Sequence, residues 1–204
     1  MDELTVFGPE CFELKPDREE VFKWLQCGES LPCRDAFSDA WDDAVSLLHT
    51  VIRPNAVLIR NADGAVSMFL TLGPDAEAGV TSLFQQQRYV TASLLNTLCD
   101  EMLFQMDRQA GTLLEKALAP EGLHIAGLME PMVDLDPQEL TQRVQPLFGA
   151  FPYVRISRRG TLFPTKSMMY SITLAREGCG HHSLHDCSRC RQTNCLYRSI
   201  RREE

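Results

Sequence analysis

The strongest constraint on the fold is one unbroken helical pattern over residues 89–119. Its apolar residues recur at intervals of three and four, which is typical of one face of an α-helix. They are Val90, Leu94, Leu98, Met102, Met106, Ala110, Leu113, Leu114, Ala117 and Leu118. At about 1.5 Å per residue such a helix crosses a small domain, so the other elements must pack against it. Asp100 and Glu101 lie beside the apolar face, and we expect both to be solvated.

Three shorter helices are predicted from capping signals and periodicity. Asp17 begins a pattern with a glutamate three residues on, which predicts a helix N-terminus. A second helix is predicted over 37–52, with Ser38 as its N-cap. A third is predicted over 137–148, after an aspartate that can cap it.

Strand-like segments separate these helices and occur at 56–60, 66–72, 123–129, 153–157, 160–163 and 168–174. The first two are joined by a turn containing Gly64, as in a β-hairpin, and the apolar run of the second predicts a central strand. Residues 164–167 are predicted to form an exposed polar turn. The mixture of hairpins and helices predicts an α+β domain over residues 1–174, with a twisted, mainly antiparallel sheet flanked by helices.

Residues 175–204 form a separate cysteine-rich tail in this interpretation. Four of the eight cysteines lie there, at positions 179, 187, 190 and 195, in the spacing C-x7-C-x2-C-x4-C. Three of the five histidines, His181, His182 and His185, lie among them. Soft ligands crowded in this way indicate a metal or metal–sulfur centre, because thiolate sets bind both zinc and iron–sulfur clusters.

The final gaps of two and four residues favour an iron–sulfur cluster held by Cys179, Cys187, Cys190 and Cys195. Zinc bound by these cysteines or by a cysteine–histidine set remains open, and so does a tail of reduced thiols. The cysteines outside the tail, at positions 11, 27, 33 and 99, are interpreted as small buried or half-buried residues.

The net charge of −8 is unevenly distributed: residues 1–150 carry −14 and residues 151–204 carry +6. A basic tail on an acidic body suits a phosphate, a corrin side chain, an acidic protein or nucleic acid. One hypothesis for the function, the alternative to an iron–sulfur protein, is therefore a zinc-knuckle module that binds a protein or a nucleic acid. Nucleic acid is the poorer partner, because Tyr197 alone could stack on a base in the tail.

Several function classes find no support in the sequence. No apolar run approaches the about 18 residues of a membrane span, and residues 1–10 do not form a secretory signal. With eight cysteines, this pattern predicts a cytoplasmic protein whose thiols are reduced. The Gly-x-Ser-x-Gly elbow, the phosphate-binding loop and the dinucleotide glycine pattern are all missing, and no catalytic residue is assigned.

A resemblance to a known family connects these segments. Residues 154–174, with Leu162-Phe163-Pro164 and Lys166-Ser167, resemble the strand–turn–strand segment of the activation domain of cobalamin-dependent methionine synthase. Residues 17–29, 41–60 and 98–125 resemble the first helix, the second helix with its following strand, and the long helix of that domain. Glu101 stands where the family carries a glutamate. The tail resembles one found in some stand-alone members.

The resemblance implies a twisted antiparallel sheet, binding of S-adenosylmethionine and docking on a corrinoid-binding methyltransferase. Electrons for reducing cob(II)alamin would come from a donor such as flavodoxin or ferredoxin. The cysteine spacing of the tail adds the hypothesis that an iron–sulfur cluster there relays those electrons. The cofactor-binding residues it implies are Glu101, Gly127, Lys166 and Ser167. Arg158, which stands where the family carries a Glu, is assigned to the same site as a substitute for a family arginine that this chain lacks.

The chain departs from the family in residues 124–130. The family has an Arg followed by Pro-Gly-Tyr there, whereas this chain keeps only Gly127. The missing Arg is the natural bidentate partner of the methionine carboxylate, so binding of S-adenosylmethionine would need a substitute such as Arg158 or Arg159.

Overall fold

The computed structural model describes residues 3–29, 31–61, 64, 66–129, 135–176 and 184. The helices in these ranges are α1 Arg18–Trp24, α2 Cys33–Val51, α3 Pro74–Gln85, α4 Tyr89–Leu118 and α5 Pro137–Val144. The strands are β1 Glu3–Phe7, β2 Asn55–Arg60, β3 Val66–Thr71, β4 His124–Met129, β5 Arg155–Ile156, β6 Leu162–Phe163 and β7 Ser167–Ala175. None of these helices combines the length and hydropathy needed to span a bilayer.

Five of the strands form one sheet in the order β1-β2-β3-β7-β4, and each neighbouring pair is antiparallel. Every residue of β3 is buried, which confirms the predicted central strand. Strands β5 and β6 pair with each other in a separate two-stranded sheet. The predicted α+β class with an antiparallel sheet is confirmed.

The two faces of the sheet have different coverings, because side chains along a strand alternate between faces. Leu58, Met68 and Tyr170 face a large core with α2, α3 and α4. Val57, Phe69 and Met169 face a smaller core made by α5, the turn that follows it and the β5–β6 hairpin. Helix α4 therefore lies against one face, as its apolar stripe predicted.

Two details of the predicted elements are wrong. Helix α2 begins at Cys33, and Ser38 is an interior residue instead of the N-cap. Pro32, whose ring fixes φ near the helical value, sets the earlier start. The predicted exposed turn at 164–167 is also incorrect at its end, because Lys166 is 8% exposed, Ser167 is 4% exposed, and Ser167 begins β7.

Candidate functional site

Helix α4 carries a carboxylate that is removed from solvent. Glu101 is 3% exposed, so the prediction of a solvated side chain is wrong. Its Oε2 accepts a hydrogen bond from the Asp17 backbone N–H at 3.2 Å, and its Oε1 accepts one from Gln105 Nε2 at 2.6 Å. Burial raises the pKa of Glu101 to about 7, because the two hydrogen bonds offset the loss of hydration only in part.

Two glutamines on α4 hold the chain segment that covers Glu101. Gln105 Oε1 accepts from the Lys15 N–H at 2.9 Å while its Nε2 donates to the Lys15 carbonyl at 2.6 Å. Gln109 makes the same pair of bonds with Glu13, at 2.9 and 2.8 Å. Each amide thus satisfies one residue's N–H and C=O, as a neighbouring strand would.

The polar face of α4 that holds this segment could be recognised in the sequence. Glu101, Gln105 and Gln109 are spaced at four-residue intervals, which places them on one face of α4. A polar stripe along a helix that is otherwise largely apolar indicates a polar partner for that face. The partner itself, the segment before α1, could not be identified from the spacing.

A cavity of about 680 Å³ opens beside Glu101, between the segment before α1, helix α1 and helix α4. Its charged lining residues are the acids Glu13, Asp17, Glu20 and Glu101 and the bases Lys15, Arg18 and Arg108. Trp24 adds an indole ring. A cavity with both signs of charge and an aromatic wall fits a small zwitterion that carries an apolar or aromatic part.

Trp24 fixes the inner wall of this cavity. It is 3% exposed, and its indole N–H donates to Glu20 Oε1 at 2.8 Å. Its ring lies edge-on to Phe104, with centroids 5.5 Å apart, and Met168 of β7 packs against both rings. The cavity wall is therefore packed against α4 and the sheet.

Asp17 caps α1 at the mouth of the cavity, as its sequence predicted. Its Oδ1 accepts from the N–H groups of Glu19 at 3.0 Å and Glu20 at 3.1 Å. Asp136 caps α5 in the same way, at 2.8 Å and 3.0 Å from the N–H groups of Gln138 and Glu139. The two caps make the same pair of hydrogen bonds, but of the two aspartates only Asp17 lines the cavity.

We expect Asp17→Ala and Asp136→Ala each to lower the free energy of unfolding by about 1 kcal/mol, because each leaves two helix N–H groups without their cap. Urea denaturation followed by circular dichroism measures both. The Asp136 variant is the matched control: an effect of Asp17→Ala larger than that of Asp136→Ala by more than about 1 kcal/mol would mean that Asp17 does more than cap α1.

Lys166 and Ser167 make internal polar contacts at the start of β7. Lys166 Nζ donates to Asp100 Oδ1 at 2.6 Å and to the Asn96 carbonyl at 3.2 Å. Ser167 Oγ donates to Thr71 Oγ1 at 2.9 Å. The expectation that Asp100 is simply solvated is therefore wrong. Neither Lys166 nor Ser167 lines the Glu101 cavity, and their cofactor-binding role stays a prediction.

The other two predicted site residues lie elsewhere in the fold. Gly127 is on the edge strand β4 opposite Thr173, where an added Cβ would stand 3.7 Å from the Thr173 Cβ, an ordinary contact. Arg158 and Arg159 are exposed between β5 and β6. The structure brings Lys166 and Ser167 together, and it places Glu101 in a cavity whose lining includes neither Gly127 nor Arg158.

The predicted metal ligands Cys179, Cys187, Cys190 and Cys195 lie outside the described residues, as do His181, His182 and His185. Within the described ranges, no three His, Cys, Asp or Glu side chains are grouped so that they could hold a metal ion. The metal or iron–sulfur site of the tail stays a prediction.

Comparison with known proteins shows what this fold is similar to. No family model and no curated protein matches the chain. A solved structure, the MetH reactivation domain bound to AdoHcy, matches with a TM-score of 0.56 and 8% identity, over 83% of this chain and 78% of that chain. This likeness shows a shared fold and confirms the fold that the activation-domain resemblance implied.

Proposed function

We propose that this protein takes part in the reductive reactivation of a cobalamin-dependent methionine synthase or a related corrinoid methyltransferase, and that the Glu101 cavity binds an S-adenosyl compound. The observation that carries the proposal is the fold shared with the MetH reactivation domain over most of both chains. The cavity supports it, because its charged lining suits the amino and carboxylate groups of AdoHcy, the ligand bound in that structure.

The residues of the cavity fit the parts of an S-adenosyl ligand. Its amino group needs an acceptor, and Glu13, Asp17, Glu20 and Glu101 supply carboxylates. Its carboxylate needs a cation, which Lys15, Arg18 or Arg108 can supply. Its adenine ring would meet only the edge of the Trp24 indole, which is 3% exposed. When bound, S-adenosylmethionine supplies the methyl group for reduced cobalt, while the protein orients it and excludes water.

Arg108 is the cavity residue that best replaces the arginine missing from the family pattern. It lies seven residues after Glu101, two turns along the same face of α4, and it is exposed. Arg18 stacks on Phe22, 5.2 Å from the ring centroid, and Lys15 pairs with Glu13 at 2.5 Å. Arg108 therefore takes the role that the sequence had suggested for Arg158 or Arg159.

We expect Arg108→Gln to weaken binding of S-adenosylhomocysteine about tenfold, because a charge-assisted contact to the ligand carboxylate is lost. Isothermal titration calorimetry on the full chain measures the change. Arg158→Gln is the matched control and should bind as the wild type does. If Arg158→Gln weakens binding and Arg108→Gln does not, the ligand lies at the β5–β6 hairpin, and absent binding to the wild type would refute the ligand assignment.

The reactivation itself is tested with a corrinoid partner. Methionine synthase that holds cob(II)alamin and lacks a reactivation domain of its own is incubated with this protein, S-adenosylmethionine and reduced flavodoxin or ferredoxin, and methyl transfer is then assayed. The proposal requires activity to return only when all the components are present. If this protein gives no recovery under conditions in which an added MetH reactivation domain restores the same partner, the proposal is contradicted.

The electron relay is a further part of the proposal and depends on the tail. The spacing of Cys179, Cys187, Cys190 and Cys195 supports an iron–sulfur cluster there. Anaerobic purification followed by iron, sulfide and zinc analysis, with visible spectra before and after reduction, tests it. A colourless protein with stoichiometric zinc would instead support the zinc-knuckle module, whose basic flank at Arg189, Arg191 and Arg198 suits an acidic partner.

A further inference from the structure

The junction between α1 and α2 brings two thiols together away from the proposed ligand cavity. Cys27 Sγ and Cys33 Sγ are 2.8 Å apart. A disulfide bond is about 2.05 Å long, so the sulfurs need to approach by only about 0.8 Å to bond. We propose that Cys27 and Cys33 form a reversible dithiol–disulfide site that a small disulfide such as oxidised glutathione oxidises.

The local backbone creates this pair. Helix α1 ends with Gln26 in the left-handed conformation, at φ 53°. The Cys27 N–H then donates to the Phe22 carbonyl at 2.9 Å and the Gln26 N–H to the Lys23 carbonyl at 2.9 Å, a Schellman ending. This ending turns the chain so that Cys27 faces the first residue of α2, which is Cys33.

Arg34 holds the two helices in this arrangement. Its Nη2 donates to both carboxylate oxygens of Glu19 on α1, each at 2.9 Å. Its guanidinium also lies over the Phe22 ring, 5.0 Å from the centroid. Because Arg34 follows Cys33 directly, these contacts fix the start of α2 beside α1 and keep the sulfurs close.

The two thiols differ in access, which sets the order of reaction. Cys33 is exposed, so the interpretation of it as a buried or half-buried residue is wrong, and an oxidant reaches it first, whereas Cys27 is 2% exposed. Burial and the neighbouring thiol raise the pKa of Cys27 to about 11, so this thiol stays protonated until Cys33 is modified. Within the described residues no third His, Cys, Asp or Glu joins the pair in a metal-binding group, so a disulfide suits the site better than a metal.

The proposed reaction is two successive thiol–disulfide exchanges. Cys33, as the thiolate, attacks one sulfur of oxidised glutathione, which forms a mixed disulfide and releases one glutathione thiolate. Cys27 then loses its proton and attacks the Cys33 sulfur, which releases the second glutathione. Two protein thiols and one glutathione disulfide thus give one protein disulfide and two glutathione thiols.

The bond would join the end of α1 to the start of α2. Asp17, Arg18, Glu20 and Trp24, at the start of α1 and along it, line the Glu101 cavity. Oxidation would therefore fix one wall of that cavity relative to α2. The reaction at the two sulfurs does not depend on the proposed ligand, so it can be tested separately.

Mass spectrometry tests the proposal on the full chain. The protein is incubated with oxidised glutathione, alkylated under denaturing conditions and digested with trypsin. Residues 24–34 form one tryptic peptide that contains Cys27 and Cys33 and no other cysteine. We expect this peptide to be unalkylated and lighter by two hydrogens after oxidation, and doubly alkylated after prior reduction with dithiothreitol.

Three controls make the result decisive. Cys99, 0% exposed and alone in its tryptic peptide 89–108, should stay reduced. Cys27→Ser should leave a stable glutathione adduct on Cys33, and Cys33→Ser should leave Cys27 unmodified. The Cys27–Cys33 disulfide should form more than about tenfold faster in the folded protein than in concentrated urea. A wild-type peptide that keeps two alkylated cysteines or a glutathione adduct, or closes equally fast in urea, would overturn the proposal.

Discussion

Replacing Lys166 with methionine is expected to lower the free energy of unfolding by about 3 kcal/mol. Methionine keeps most of the apolar stem but removes the cation that lies 2.6 Å from Asp100 Oδ1. The Lys166 and Asp100 side chains are only 10% and 18% exposed, so the remaining carboxylate is poorly hydrated. Urea denaturation at pH 7 measures the loss.

Two further variants separate this explanation from others. Adding Asp100→Asn to the Lys166→Met protein should recover part of the loss, because it removes the poorly hydrated charge that the Lys166 cation balanced. Arg60→Met breaks an ion pair with Glu121 in which Glu121 is 47% exposed, and should cost less than about 1 kcal/mol. If Lys166→Met costs no more than Arg60→Met and instead weakens ligand binding, Lys166 is the cofactor contact that the sequence predicted.

Glu101→Gln is expected to remove a pH dependence of stability that the wild type shows. The pKa of Glu101 is about 7 in the fold, above its ordinary value of 4.5. Between these values the folded protein holds a proton that the unfolded chain has lost, so stability falls as pH rises. A pKa raised from 4.5 to about 7 corresponds to about 3 kcal/mol of stability, which is lost by the time the pH exceeds 7.

The measurement is a set of urea unfolding curves from pH 4 to pH 8 for the wild type and the variant. Glutamine stays neutral, so the stability of the variant should change little between pH 4 and pH 8 while that of the wild type falls. Its NH2 group cannot accept the second of the two bonds that the Glu101 carboxylate accepts, which costs the variant about 1 kcal/mol at every pH. Glu139→Gln changes an exposed carboxylate on α5 and serves as the control. If the free energies of unfolding of Glu101→Gln and the wild type change with pH in parallel, Glu101 titrates as a solvated carboxylate does.

This titration also bears on the proposed function. A carboxylate that is neutral below pH 7 and charged above it changes the field inside the cavity near neutral pH. An ammonium or sulfonium group would gain a partner there as the pH rises. Binding of S-adenosylhomocysteine should therefore strengthen between pH 6 and pH 8, and should do so less in Glu101→Gln.

The sequence by itself determined the elements whose signals are local. The apolar stripe of α4 follows the helical period, and its observed bounds, Tyr89–Leu118, differ from the predicted range by one residue. The β2–β3 hairpin and the cap at Asp17 depend on residues that are close in sequence. The α+β class follows from the order of these elements, and the resemblance to the activation domain named the particular fold.

Tertiary structure alone decided the environment of the polar side chains. Glu101 is buried because a segment 84 residues earlier covers it, and Lys166 is paired because Asp100, 66 residues earlier, lies opposite. No local pattern contains such pairings. Cys27 and Cys33 are only six residues apart, but a left-handed residue at the end of α1 decides that their sulfurs meet. Hydration and pKa depend on what surrounds a group in space, and the chain defines that only once it has folded.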